Sequence, residues 1–274
     1  MRKPAFDPSW LPTYKECFEN DEIELWNDTI NRGHARQYRN RREAILSAVE
    51  KLMPAGSKIL DVAAAGGNFT LPLAEKGFHM VWNDFYPEWM EWVKMKYEHG
   101  VVEYAPGNIF DKSAEFQQCF DGVIATEVIE HVAHPDAFLV NLATMVKPGG
   151  WLFMSTPNGR YFLNRLPKFS DCPDTSVFEA DQFKPDSDGH IFLLHPSEII
   201  EMTTRSKLHL HTLSLANNPL SGGHLKLSYL LRVLPKKFVD LVEATTQRLP
   251  APMSERLHAT AIIICQRPHA PAHP

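Results

Sequence analysis

The chain has 274 residues, of which 44% are apolar and 22% charged, and its 28 basic and 33 acidic side chains leave a formal net charge of −5. This is ordinary globular composition, and the length suits one large domain with added segments. No apolar run approaches the roughly 20 residues of a membrane span, and the acidic balance argues against a dedicated nucleic-acid binder. The four cysteines are widely spaced and form no Cys-x-x-Cys pair, which predicts a reduced, cytoplasmic setting.

The first half of the chain alternates short apolar runs with helical patterns. A polar N-terminal arm over residues 1–42 precedes an amphipathic helix at 43–52. In chain order the next predicted elements are strand 58–64, helix 71–76, strand 78–83, helix 88–97, strand 101–105, helix 112–118, strand 120–126, helix 136–145 and strand 151–155. Strands that alternate with helices are typical of right-handed crossovers, so the pattern predicts an α/β fold with a mostly parallel, doubly wound sheet and helices on both faces.

The rhythm changes after residue 155. A polar loop at 156–190, on the predicted substrate side, leads to helix 196–205 and strand 209–216. A helical insertion at 222–250, mostly amphipathic helix broken at Pro235, precedes a last strand at 259–265, which makes seven strands. The main domain would then span 43–266, followed by a disordered tail at 267–274. The leucines of the insertion suit a lid, a homodimer face or a site for a lipid-linked substrate.

The turn after the first predicted strand consists of tiny residues, from Ala63 to Gly67. Small side chains let the backbone approach a ligand closely, and the helix that follows offers free N–H groups. Asp84 ends the second strand, where a carboxylate can accept both hydroxyls of a ribose. Together with Asp61 and with Pro148-Gly149-Gly150 before the fifth strand, these motifs resemble the class I S-adenosylmethionine-dependent methyltransferases over residues 59–157.

The resemblance implies S-adenosyl-L-methionine as the cofactor. Its methionine end would lie against Asp61 and the small-residue turn, its ribose on Asp84, and its adenine beside Asn108. The full set of predicted cofactor residues is Asp61, Ala63, Ala65, Gly67, Asn68, Asp84, Phe85, Asn108, Ile109 and Thr126. The Gly-x-Gly of the family is Ala63-Ala64-Ala65 here, and we expect these alanines to form the turn with negative φ angles.

A second cluster of polar residues follows the fourth strand. Glu127, Glu130 and His131 stand at i, i+3 and i+4, so one helical turn would point all three the same way. Two carboxylates and an imidazole brought together would destabilise each other unless a cation lay between them. His190, after the polar loop, could close such a site.

The Glu-x-x-Glu-His motif with a later histidine resembles the metal-dependent small-RNA 2′-O-methyltransferases and the ubiquinone-pathway O-methyltransferases. The resemblance implies Mg²⁺ or Mn²⁺ held by Glu127, Glu130, His131 and His190, with His195 as the less favoured alternative for the last position. The predicted catalytic residues are His131, His195 and Glu127, and we expect His134 to cap the following helix. Both families methylate one hydroxyl of a vicinal diol.

These patterns predict a metal-assisted O-methyltransferase that acts on a vicinal diol, with a saccharide or glycoconjugate ahead of a catechol-type quinone precursor. RNA is the poorer candidate, because neither the charge nor an added RNA-binding module supports it. Two alternatives stay open: a metal-independent small-molecule methyltransferase, and a non-catalytic scaffold subunit that binds the cofactor.

A basic cluster over residues 32–42 is interpreted as a solvated helix face, or else as a contact for a phosphate or an acidic substrate.

Overall fold

The computed structural model describes residues 1–182 and 189–269 of the chain. The strands of this part are β1 Lys58–Val62, β2 His79–Asn83, β3 Val101–Tyr104, β4 Phe120–Thr126, β5 Val146–Pro157, β6 His209–Ala216 and β7 Thr260–Gln266. Its α-helices are α1 Pro12–Asp21, α2 Arg32–Leu52, α3 Thr70–Glu75, α4 Trp89–Lys96, α5 Pro135–Met145, α6 Pro196–Arg205, α7 Lys236–Gln247 and α8 Ala251–Leu257. None of these helices is long and apolar enough to cross a membrane.

The seven strands form one sheet in the order β3-β2-β1-β4-β5-β7-β6. The first five strands pair in parallel, and β7 runs antiparallel to both β5 and β6. The predicted α/β fold with a seven-stranded, mostly parallel sheet is therefore confirmed. The strand order reverses between β1 and β4, and open α/β sheets bind their ligands at the carboxyl ends of strands at such a point.

Alternate strand residues face opposite sides of the sheet and enter separate cores, as the two-residue period of a strand requires. Leu60 and Val123 pack on one side with the apolar residues of α5 and α6. Ile59 and Ile124 pack on the other side with the apolar residues of α2 and α3. Both faces of the sheet are thus covered at its central strands, whereas the edge strands β3 and β6 are partly exposed.

The structure changes several predicted boundaries. Helix α2 begins at Arg32 and not at residue 43, because the side chain of Asn31 accepts a hydrogen bond from the His34 amide and caps its N-terminus. The N-terminal arm accordingly ends before residue 32, and it is helical over α1 and over a π-helical turn, Glu22–Trp26. The helix predicted at 112–118 is wrong: a 3₁₀ turn, Ile109–Lys112, lies just before it.

The insertion and the tail also differ from the prediction. The insertion comprises a 3₁₀ turn, Leu227–Arg232, then α7, and α8 lies beyond it. Arg267, expected in a disordered tail, is instead held in place directly after β7, since its guanidinium donates to three carbonyls of the α5–β5 segment. Residues 270–274 of the predicted tail lie outside the described residues. The loop predicted at 156–190 contains 3₁₀ turns at Phe169–Asp171 and Ser176–Asp181.

Candidate active site

The small-residue turn after β1 folds back on itself through left-handed backbone angles. Ala63 has a φ of 52° and Ala65 a φ of 43°. The expectation of negative φ angles at these alanines is therefore wrong. The Ala65 amide donates to Asp84 Oδ2 at 2.8 Å, and the Trp82 indole donates to the Ala65 carbonyl at 3.0 Å. These bonds to the end of β2 hold a conformation that alanine disfavours by about 1–2 kcal/mol.

A cavity of about 240 Å³ opens beside this turn, at the carboxyl ends of β1 and β4, and we call it the turn cavity. The turn lines it from Ala63 to Gly66, and the β4 end lines it with Thr126 and Glu127. Helix α2 contributes Tyr38 and Arg41, and the N-terminal arm closes the remaining side. A larger groove of about 760 Å³ lies between α2, α7 and the β6–β7 edge, and none of the predicted site residues lines it.

The predicted cofactor residues divide between this cavity and its surroundings. Ala63, Ala65, Asn68 and Thr126 line the turn cavity. The other predicted residues do not line it. Asp61 accepts a hydrogen bond from Thr70 beneath the turn, Gly67 packs on α4, and Asp84 accepts hydrogen bonds from the amides of Ala65 and Tyr86. Phe85 is exposed, Asn108 caps a 3₁₀ turn, and Ile109 is buried in the core. Burial raises the pKa of Asp61 to about 7 and raises that of Asp84 as well.

A buried polar network joins the arm to the turn cavity, and the sequence analysis did not predict it. Lys96 Nζ lies 2.5 Å from Asp21 Oδ2 and 2.6 Å from Asn68 Oδ1. The Trp92 indole and the Asn68 amide also donate to the Asp21 carboxylate. Burial lowers the pKa of Lys96, and the Asp21 charge opposes that shift. A signal for Lys96 does exist, because it continues the buried spacing of Trp92 and Val93 along α4.

The second predicted cluster is centred on Glu130, whose side chain is fully buried. Glu130 Oε2 accepts a hydrogen bond from Thr156 Oγ1 at 2.9 Å. Glu130 Oε1 accepts none from any described residue, and it lies 4.0 Å from Nε2 of both His131 and His190. The two imidazole rings are 4.8 Å apart between centroids. Burial, and next the charge of Glu127, raise the pKa of Glu130 well above its usual range. We call Glu130, His131 and His190 the donor group.

Glu127 does not join the donor group. Its φ of 53° breaks the single helical turn that the spacing predicted, and only Ile129–His131 forms a 3₁₀ turn. Glu127 Oε2 lies 3.1 Å from Arg41 Nη1, and Oε1 accepts a hydrogen bond from Ser155 Oγ at 2.9 Å. Arg41 is 15% exposed, so the interpretation of the basic cluster as a solvated face is wrong at this residue.

The remaining two histidines serve other contacts. His195 lies at the N-terminus of α6, where its amide donates to Glu198 Oε2 at 2.8 Å, and burial lowers the pKa of its imidazole. It is not among the ligand atoms that cluster at Glu130. His134 precedes α5 but its side chain caps no helix, because it pairs with Glu179 at 2.8 Å and with Thr175 at 3.0 Å. The prediction of a His134 cap is therefore wrong.

Comparison with protein families gives one matching model, described as "Methyltransferase domain", over residues 34–210. The ubiquinone biosynthesis O-methyltransferase of Chromobacterium violaceum is 31% identical over 182 residues, which cover 61% of this chain and 71% of that protein. The protein of the same name from Xanthomonas axonopodis pv. citri is 37% identical over 119 residues, which cover 43% of this chain and 47% of that protein. The chain thus spans about half the length of the Xanthomonas relative.

Solved structures share the fold at low sequence identity. The magnesium protoporphyrin IX methyltransferase of Synechocystis PCC 6803, with bound SAH, has a TM-score of 0.58 at 10% identity and covers 93% of this chain and 95% of its own. A Haloferax volcanii methyltransferase solved with the Trm112 activator has a TM-score of 0.54 at 17% identity and covers 92% and 99%. The [4+2]-cyclase SpnF has a TM-score of 0.55, so the fold alone does not determine the reaction.

Proposed function

The chain belongs to the S-adenosylmethionine-dependent methyltransferases, and on that premise we propose that it is a metal-assisted O-methyltransferase of vicinal diols. The observation that carries the metal proposal is the buried oxygen of Glu130. A buried carboxylate oxygen without a hydrogen bond is costly, by several kcal/mol, unless a positive partner satisfies it. His131 and His190 face that same oxygen, and all three ligand atoms lie within 4.8 Å of one another.

These donors fit a divalent cation. Mixed carboxylate and imidazole ligands suit Mn²⁺, and Mg²⁺ accepts such a site when water and substrate oxygens complete its shell. Glu130, His131 and His190 would hold the ion. When bound, it would lower the pKa of a hydroxyl that contacts it, and two neighbouring hydroxyls would be held in one orientation. The predicted role of Glu127 as a further metal ligand requires that its carboxylate leave Arg41.

The reaction itself is an in-line displacement at the sulfonium methyl group. The hydroxyl oxygen forms a bond to the methyl carbon, the carbon–sulfur bond breaks, and S-adenosylhomocysteine leaves. Glu127 lines the turn cavity, and Ser155 and Arg41 orient its carboxylate. We assign the hydroxyl proton to this carboxylate, because the Nε2 atoms of His131 and His190 already face Glu130 and His195 lies at the start of α6. The arm lines one side of the cavity.

For the substrate class, the names of the relatives support one of the two candidates. Their names place them in ubiquinone biosynthesis, which favours a catechol-type quinone precursor. The saccharide or glycoconjugate preferred from the sequence gains no support from the comparisons. Catechols and sugars share a vicinal diol, so a panel of both classes decides between them.

The test combines metal removal with a matched pair of variants. We expect exhaustive EDTA treatment to lower methyl transfer to a catechol panel at least about 100-fold, and Mn²⁺ or Mg²⁺ to restore it. Glu130→Gln should lose Mn²⁺ binding in electron paramagnetic resonance titrations. Glu179→Gln removes an exposed carboxylate that also faces a histidine, and should bind Mn²⁺ as the wild type does.

Other outcomes favour the alternatives. Full activity after EDTA would support a metal-independent methyltransferase, and unchanged Mn²⁺ binding by Glu130→Gln would refute the donor group as its site. Binding of S-adenosylhomocysteine in calorimetry without methyl transfer to any member of the panel would support the scaffold subunit that binds the cofactor.

A further inference from the structure

The helical insertion carries an exposed apolar surface that the proposed reaction does not use. Within seventeen residues, six large apolar side chains are between 43% and 76% exposed: Leu225, Tyr229, Leu230, Val233, Phe238 and Leu241. We call these six the apolar ridge. Phe238 and Leu241 stand at i and i+3 on α7 and so share one face. Clustered exposed residues of this size mark an interaction surface, whereas single exposed apolar residues do not.

Positive charge surrounds the apolar ridge. The segment 225–241 contains four basic residues, Lys226, Arg232, Lys236 and Lys237, all exposed, and one acidic residue, Asp240. Asp240 already pairs with Arg36 and lies 3.3 Å from Lys236. The segment therefore carries a net charge of 4 − 1 = +3 in a chain whose total is −5. The net charge of the segment that carries the apolar ridge is therefore opposite in sign to that of the whole chain.

A basic pocket of about 260 Å³ lies beside the ridge, between the insertion and the N-terminal half of α2. Its lining includes Arg32, Arg36, Arg39 and Lys236, against the carboxylates of Asp28 and Glu43. Arg36 Nε is buried and donates to no described residue. Leu231, Leu234 and Val239 complete the walls. A pocket with cationic donors and apolar walls suits a phosphate group attached to an acyl chain.

We propose that the insertion docks onto the surface of a bilayer that contains anionic phospholipids. The apolar ridge would enter the boundary between headgroups and acyl chains, and the surrounding lysines and arginines would face phosphates. Charge favours this partner over a second copy of the chain, because a twofold contact would place two +3 segments against each other. The inference does not depend on the proposed reaction.

The insertion also packs directly on the helix that lines the turn cavity. A Cβ atom on Gly33 of α2 would meet the Gly222 carbonyl oxygen at 2.5 Å, and the Gln37 amide donates to that same carbonyl at 3.1 Å. Arg41, one turn beyond Gln37, lines the turn cavity. Docking would therefore set the α2 side of the cavity near the membrane surface.

The experiment is co-sedimentation of the full chain with vesicles of phosphatidylcholine alone or mixed with phosphatidylglycerol. We expect binding to the mixed vesicles that weakens as salt is added, and little binding to phosphatidylcholine alone. Val233→Ser with Leu241→Ser should lower the partition coefficient about tenfold or more. Lys226→Gln with Lys237→Gln should lower binding to mixed vesicles and reduce its salt dependence.

Val101→Ser with Ile200→Ser is the matched control, since both residues are about half exposed and lie on β3 and α6. This variant should bind vesicles as the wild type does, and circular dichroism and thermal unfolding check that every variant folds. Absence of binding to mixed vesicles, or equal binding by the Val233/Leu241 variant, would overturn the proposal. So would light scattering that shows a dimer which only the Val233/Leu241 variant dissociates, because the ridge would then join two copies.

Discussion

Ala63 and Ala65 occupy a backbone region that glycine adopts without strain, with φ angles of 52° and 43°. In this region the alanine Cβ crowds the following carbonyl oxygen. The turn nevertheless keeps these angles, because its amides and carbonyls bond to the end of β2. We infer that the surrounding bonds, and not the alanines themselves, determine the shape of the turn.

Ala65→Gly should therefore stabilise the protein. We expect the free energy of unfolding to rise by about 1 kcal/mol, since glycine adopts the left-handed angle without the Cβ clash. Urea unfolding measures the change. Ala64→Gly is the control: Ala64 has no positive φ, so glycine should lower the stability by roughly 0.5–1 kcal/mol there. Equal destabilisation by both variants would show that the Ala65 backbone is not strained.

The sequence analysis grouped Glu130, His131 and His190, which the structure brings together, and wrongly placed Glu127 with them. Glu130 and His131 are neighbours in the chain, and His190 follows a long loop, so residue type and position were sufficient to group them. The spacing of Glu127 predicted the same direction only if one helical turn included it. Its left-handed φ and its pairing with Arg41 depend on α2 lying against the β4 end, and no local pattern reports that contact.

The elements were predictable where apolar periodicity is strong. Apart from β5, which begins at Val146 and not at residue 151, the strands and α4, α5 and α6 were located close to their observed positions because each buries an apolar face. The first half of α2 was missed because it is rich in arginine, and its burial comes from the arm and the insertion. The arm was likewise predicted only as a polar lid, although α1 supplies Asp21 to a buried ion pair.

The Asp21–Lys96 pair should hold the arm against the rest of the molecule. Lys96→Met leaves the Asp21 carboxylate buried without its cation, and we expect a loss of about 3–5 kcal/mol in the free energy of unfolding. Because Asp21 and Asn68 line the turn cavity, calorimetry should also show weaker binding of S-adenosylhomocysteine. Asp21→Asn with Lys96→Met removes both charges and should recover part of the stability.

Lys94→Met is the matched control for this prediction. Lys94 lies on the same helix but is 45% exposed, and it pairs with Glu91 at 2.7 Å. Exposed pairs contribute roughly 0–1 kcal/mol, so this variant should resemble the wild type. A Lys96→Met protein as stable as Lys94→Met would exclude a structural role for the buried pair.

For the whole molecule, the α/β fold class followed from the sequence because it depends on the order of strands and helices. Right-handed crossovers leave few arrangements of such a chain, and a late strand without a crossover helix can only add at an edge or reverse. The closure of the turn cavity did not follow, because it depends on where the arm and the insertion pack. Those contacts join segments far apart in the sequence.

The dependence of global stability on pH should include a contribution from Asp61 at the centre of the sheet. Burial raises the pKa of this carboxyl from 3.8 to about 7 in the folded protein, while the unfolded chain keeps the usual value. Between these values the folded state holds a proton that the unfolded state has released. Stability therefore falls as the pH rises from about 4 to about 7, and it stays lower above 7.

Asp61→Asn removes this titration and keeps an oxygen that accepts the Thr70 hydrogen bond. From pH 4 to pH 8 we expect the wild type to lose more stability than Asp61→Asn, by on the order of 4 kcal/mol, and urea unfolding at both pH values measures the difference.

Asp121→Asn is the control of opposite sign. Burial would raise the pKa of Asp121, but hydrogen bonds from Lys147 and the Lys58 amide outweigh it and keep the pKa below its usual range. That carboxylate stabilises the fold above its unfolded pKa, so its loss should matter more at pH 8 than at pH 3. Parallel pH profiles for wild type and Asp61→Asn would mean that Asp61 keeps its ordinary pKa, and that water or an ion reaches the carboxylate beneath the turn.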